Sequence, residues 1–159
     1  MISPSTFYKD RQYRYTLERI WDKNKPYVLF IMINPSTANE INNDNTINKI
    51  NNNINKNIYG GFYIGNIYPI VSSSQRALNK NFKNTFSNSP EYTENIINIK
   101  KMILLVDKVI YAWGYKGKEP EWLREIVNKT YCINTLKNNQ PAHPLKLISF
   151  EFKQYRKKY

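Results

Sequence analysis

One cysteine, one histidine and five glycines leave this chain little material for several common chemistries. The lone Cys132 excludes an intramolecular disulfide and a thiolate metal cluster; with Tyr131 and Ile133 beside it, it reads as a buried structural thiol. One His and one Cys cannot build a typical zinc site. The glycines never take the spacing of a phosphate-binding loop, and Ser36 lacks the flanking glycines of a nucleophile elbow. No metal and no cofactor is therefore expected. No apolar run approaches the roughly 18 residues of a membrane-spanning helix, so no membrane partner is expected either. The opening Met-Ile-Ser-Pro-Ser-Thr lacks the basic and apolar regions of a signal peptide. Together these absences predict a soluble cytoplasmic protein.

Acidic residues are scarce as well: 12 against 24 basic ones, a formal charge of +12. Such an excess favours anionic partners, nucleotides and nucleic acid among them. Lysine outnumbers arginine 18 to 6 and Asn, Ile and Tyr are abundant, which is also what an AT-rich coding sequence produces. What is present in quantity is apolar material: 41% hydrophobic and 14% aromatic residues in 159 positions, enough for one α/β domain with a real core. Residues 13–150 would form that core, and 151–159 a basic, solvated C-terminal tail.

The most informative stretch is Tyr27 to Ile33, seven apolar residues stopped by Asn34 and Pro35. A short aromatic and β-branched run bounded by turn formers predicts a strand buried on both faces. Its polar stop would lie at the carboxyl edge of a parallel sheet, where open α/β folds bind ligands. Tyr13 to Arg19 alternates imperfectly, as an edge strand would. Asp44 to Thr46 can cap a helix whose face is Ile47, Ile50, Ile54 and Ile58, with Gly60-Gly61 ending it. Phe62 to Tyr68 predicts a second strand, and Leu78 to Ser89 an irregular polar segment. Ser89-Pro90 opens a helix to about Val106. Lys108 to Trp113 and Tyr131 to Thr135 predict further strands, with a helix from Glu119-Pro120 between them burying Trp122, Leu123, Ile126 and Val127. His143-Pro144 then leads into the apolar Leu145 to Phe150. Strands alternating with helices predict a three-layer α/β sandwich around a mostly parallel sheet of four to five strands.

These residues carry a resemblance. Arg14-Tyr15 through Trp21, the string from Leu29 to Ala38 with its Asn-Pro-Ser-Thr-Ala, Asp44, Thr46, Gly60-Gly61, Asn66, Ala112-Trp113-Gly114 and Pro141 through Leu145 resemble the family of domain of unknown function 1643. The resemblance spans roughly residues 13 to 148. More distantly, Asn34-Pro35, the strand ending in Asn66, Ala112-Trp113-Gly114 and His143-Pro144 follow the order of motifs in the uracil-DNA glycosylase superfamily. That resemblance implies that Asn34 positions a water, Asn66 reads the edge of a base, and His143 stabilises charge on a leaving base. The first motif contains no carboxylate. Where the unknown-function family often has two acids this chain has Asn43-Asp44, and two arginines of its pattern are replaced near Val71 and at Ala142.

The candidate ligand-binding residues are Asn34, Pro35, Ser36, Thr37, Asp44, Thr46, Asn66, Tyr68 and His143, with Asn34 and His143 catalytic if the chain is an enzyme. Each has a plainer alternative: Asn34 can bond loop backbone, Asn66 a turn, Ser36 and Thr37 can cap, and Asp44 and Thr46 can start a helix. Tyr8, Tyr13 and Tyr15 among Lys9, Arg11 and Arg14 suit base stacking or an exposed edge strand alike. Three functions follow. The first is a nucleotide- or nucleobase-binding protein with a glycosylase-like pocket, in the manner of a phage or mobile-element protein that sequesters a nucleotide signal. The second is a DNA glycosylase that excises a base, and the third an accessory nucleic-acid-binding module. The partner is accordingly a nucleobase-containing anion or DNA; the oligomeric state stays open, a homodimer included.

Overall fold

Tyr27–Met32 form β3, and every residue after Tyr27 is buried. In this computed structural model, which describes residues 5–8, 12–72, 80–147 and 149–157, β3 lies between two parallel neighbours, β4 (Gly61–Asn66) and β5 (Lys108–Tyr111). A strand with neighbours on both edges and helices on both faces must be apolar all round, which is what the sequence of β3 supplies. β6 (Lys129–Cys132) extends the parallel set beyond β5. Antiparallel strands complete it: β2 (Tyr13–Ile20) against β4, β1 (Ser5–Tyr8) against β2, and β7 (Lys153–Lys157) against β6. The order is β1-β2-β4-β3-β5-β6-β7.

The α/β class is as expected, but the sheet has seven strands rather than four or five. The two additions lie at its margins. β1 covers β2, so the stretch from Tyr13 is not the edge. Lys153–Lys157, expected as part of a solvated tail, is a strand. Edge strands are recruited through backbone hydrogen bonds, which leave no hydrophobic signature in the sequence. β7 is pinned further by the Tyr155 hydroxyl, which donates to the Asn139 carbonyl at 3.0 Å. Just before it, Phe152 packs its ring 5.9 Å from Phe30.

Alternation along β3 splits the core. Val28, Phe30 and Met32 join Phe62, Ile64 and α1 (Asn45–Asn53) on one face, through Ile47 and Ile50. Leu29 and Ile31 face α3 (Pro90–Ile103) and α4 (Glu121–Ile126), through Ile99, Met102 and Leu123. Asp44 caps α1 by accepting the Ile47 amide at 2.9 Å, and Ser89 caps α3 by accepting that of Tyr92 at 3.2 Å, with Pro90 in the first turn. Each such cap contributes about 1 kcal/mol.

Several boundaries differ from expectation. α1 stops at Asn53, Ile54 closes its last turn, and Ile58 is 53% exposed instead of packed. Gly60 therefore does not end the helix. Its carbonyl accepts the amides of Trp21 and Asp22, and a Cβ on it would stand 1.8 Å from the Asp22 oxygen. Close backbone approach is what this glycine permits. Within the segment expected to be irregular, Lys80–Phe86 form α2. The last apolar stretch opens as a short 3-10 helix, Pro144–Lys146.

This topology places a crevice. The chain leaves β3 toward α1 on one face and leaves β5 toward α4 on the other. The two strands are adjacent, so their loops diverge at the carboxyl edge, the switch point where ligands of open α/β sheets bind. Among the described residues no helix is long and apolar enough to cross a membrane.

Candidate functional site

At that switch point lies a cavity of about 200 Å³. Its walls bring together Asn34 and Ser36 after β3, Asp44 and Thr46 at the start of α1, His143 before the 3-10 helix, and Arg14 from β2. Five of the nine residues picked from sequence thus converge, across more than a hundred positions of chain. The other four do not line it. Pro35 is buried, and its carbonyl takes the Ser72 amide at 2.9 Å; Thr37 is exposed. Tyr68 borders a different cavity on the α3 and α4 side, of about 410 Å³, where Lys83 lies 5.5 Å above its ring. Asn66 is 1% exposed and pairs in register with Met32, a residue of the first cavity's wall. The alternation of β4 puts it on the face of Phe62 and Ile64, behind that wall. Its Oδ1 is buried with no hydrogen-bond partner among the described residues. Its carbonyl accepts from the buried Asn95 of α3 at 2.8 Å, which holds the end of β4 in place.

Arg14 is the residue that sequence reading passed over as a site candidate. Ahead of it Tyr13 bridges Ile70 and stacks on Phe86 of α2. The next side chain therefore points to the opposite face, where Arg14 Nη1 donates to the Ala38 carbonyl at 2.7 Å. It is 2% exposed. Burial holds the guanidinium down at about 10, Asp44 works against that, and Arg19 adds to it; at neutral pH Arg14 remains a cation. The signal for it was present in the Arg14-Tyr15 pair with which the family resemblance begins. Five residues on, Arg19 donates to Asn39 O at 2.6 Å and Asn43 Oδ1 at 2.9 Å. The two arginines of β2 thereby clasp the 38–43 loop that delivers Asp44.

Asn34 spends its amide nitrogen on structure, donating to Ser72 O at 2.8 Å and Pro35 O at 3.3 Å. This is the plainer role foreseen for it, and it leaves the side-chain carbonyl as the atom available to a ligand. His143 accepts the Leu145 amide on Nδ1 at 3.3 Å. A neutral ring with Nδ1 as acceptor carries its proton on Nε2, so His143 can offer one N–H donor. Burial pushes its pKa below the usual value, Asp44 opposes this and Lys146 reinforces it, favouring that neutral form. Asp44 commits one oxygen to the cap of α1. Among the described residues the cavity therefore combines one cation, one carboxylate, an amide carbonyl, a neutral imidazole and the hydroxyls of Ser36 and Thr46.

Of the remaining expectations, Cys132 is buried and unpaired, and burial raises its thiol. Tyr13 and Tyr15 are half-buried and buried, not an exposed stacking face; Lys9, Arg11 and the Tyr8 side chain lie outside what is described. Ala142 is buried, with its amide on Asn134 O at 2.8 Å. Among the described residues no three His, Cys, Asp or Glu side chains gather as a metal site would require.

Fold and site define an α/β protein with a polar cavity, built around a buried arginine, at the switch point of a mixed sheet. Residues 14–145 match the family described as protein of unknown function (DUF1643), and the chain belongs to that family. No curated protein and no solved structure matches it.

Proposed function

We propose that the chain binds a nucleobase-containing anion, with the base in the cavity beneath β3. The observation that carries this reading is Arg14. A guanidinium has five N–H donors, and among the described residues this one gives a hydrogen bond only to Ala38. A buried charge is costly unless its donors find acceptors. The carbonyls and ring nitrogens of a base are such acceptors, while Asn34 Oδ1 accepts from an exocyclic amine and His143 Nε2 donates. Charge decides base over phosphate for the cavity. Arg14 and Asp44 nearly cancel and His143 is neutral, so the interior suits a polar, uncharged ring. The helices on both faces and the order Asn34, Asn66, His143 support a three-layer, uracil-DNA-glycosylase-like fold for this site. Calorimetry against a panel of mononucleotides and bases tests the reading. At least one base class binds, and Arg14→Met weakens that binding at least about tenfold; a panel without any binder overturns it.

A second reading, base excision from DNA, is favoured by one observation: Asp44 and His143 line the same cavity as Asn34. The first motif's missing acid is thereby supplied from α1. Hydrolysis needs a carboxylate or amide to orient water and a donor to the departing base, and both kinds of group are present. Incubation with uracil-containing and modified-base DNA, followed by alkaline cleavage at abasic sites, separates the two. Intact DNA after prolonged incubation leaves binding alone.

A further inference from the structure

The cavity is small: about 200 Å³, below the roughly 300 Å³ at which sites for drug-sized ligands begin. A base ring fits, and the sugar and phosphate attached to it must lie outside. Beyond His143 and Leu145, which border the cavity, opens a second hollow of about 340 Å³ that the same two residues share. Among the described residues its walls carry Lys116, Lys146 and Tyr115, and no carboxylate. Among the described residues neither lysine is in a salt bridge. Tyr115 is 67% exposed. The turn that presents it is fixed: Gly114, at a φ of +81° that favours glycine, donates its amide to Pro141 O at 2.9 Å, and Asn138 donates to Tyr115 O at 3.0 Å. Charge thus changes along the path, from a balanced cavity to a purely cationic hollow with an aromatic face at its rim.

We infer that this hollow is a second nucleotide subsite and that the ligand is single-stranded nucleic acid. One base enters the cavity, the phosphates beside it lie against Lys116 and Lys146, and the adjacent base stacks on Tyr115. Aromatic faces and lysines in a groove are the means by which single strands are held without sequence preference. The inference rests on the base-in-cavity reading above.

Fluorescence titration of the full chain with mono-, di- and octanucleotides of randomised base, and with an octamer duplex, tests it. The dinucleotide and octanucleotide bind at least tenfold tighter than mononucleotides, and the duplex binds more weakly than the single strand. Tyr115→Ala weakens the octanucleotide roughly five- to hundredfold and narrows its advantage over the mononucleotide, while Tyr115→Trp restores it. Lys116→Ala with Lys146→Ala lowers the salt slope of octanucleotide binding by about 1.4. Equal affinity for mono- and octanucleotides, a duplex bound as tightly as a single strand, or an octanucleotide insensitive to Tyr115→Ala would each overturn the inference. In those cases mononucleotide binding that depends on Arg14 keeps the cavity reading. Octanucleotide binding unaffected by Arg14→Met overturns both.

Discussion

Arg14 and Arg156 are two arginines held by strands on opposite sides of the same sheet, and they are treated in opposite ways. Arg156, in β7, is enclosed by partners. Its Nε donates to Glu119 Oε2 at 3.1 Å, one Nη to Glu119 Oε1, and the same Nη to Val127 O at 3.2 Å. Burial pulls its pKa down, but Glu119 and Tyr111 outweigh that and raise it. Arg14 is more deeply buried, has one neutral acceptor among the described residues, and is lowered to about 10. The first arginine joins β7 to the loop before α4 and is spent on the fold. Arg14 instead lines a cavity. Protein interiors rarely leave a cation so placed without a use, and that contrast is the strongest functional signal in the molecule.

The contrast can be broken most directly at Arg14. Since a hydrogen bond from a charged group contributes about 1.5–3 kcal/mol, Arg14→Met weakens mononucleotide binding by roughly 10- to 150-fold by calorimetry. Urea unfolding shows a loss of no more than about 1 kcal/mol, because the Ala38 carbonyl loses its donor while an apolar side chain replaces a desolvated charge. Arg156→Met shows the reverse pattern: about 2 kcal/mol less stable, from the stranded Glu119 carboxylate, with nucleotide affinity unchanged. If instead Arg14→Met unfolded the chain and Arg156→Met spared it, the roles assigned to the two arginines would have to be exchanged.

Asp44 sharpens the same comparison. Asp44→Asn keeps the cap of α1, since Asn and Asp cap equally well, and removes the counter-charge from the cavity. Anionic nucleotides then bind several-fold tighter, whereas Asp44→Ala also loses about 1 kcal/mol of stability in unfolding. The smallest effect is that of pH on His143. Its folded pKa lies below its unfolded value near 6.5, so the unfolded chain takes up the proton first. The stability this histidine contributes is whole above that value and is lost as pH falls through it toward the folded pKa. Protonation also removes the Nδ1 acceptor for the Leu145 amide. Thermal unfolding between pH 7 and pH 5 therefore flattens in His143→Ala relative to the unsubstituted chain.

Where local chemistry carries the information, the sequence was readable. β3 follows from its apolar run, α3 from Ser89-Pro90 and its spaced apolar residues, and the cap of α1 from Asp44. Asn34, Ser36 and His143 could be picked as candidate site residues because polar stops after strands fall at the carboxyl edge, and Asp44 and Thr46 through the family resemblance. Tyr68 lines a different cavity for a related reason. It too follows a strand, but the turn after β4 sends it to the α3 side, with Phe86 and Tyr92. β1 and β7 were missed because their pairing is made by backbone, and α2 because its seven residues hold few apolar side chains.

By itself the sequence determined the class of fold, the central strand and the polar residues that end it, since hydrophobic period and turn chemistry act over a few neighbouring positions. Which of those polar residues share one cavity was decided by tertiary structure alone. So was the inward turn of Arg14: the bridge from Tyr13 to Ile70 selects the face that the following side chain occupies, and only the packed sheet sets that register. A guanidinium is the same group on a surface and in a core. Desolvation beside Asp44 and Ala38 is what sets this one apart.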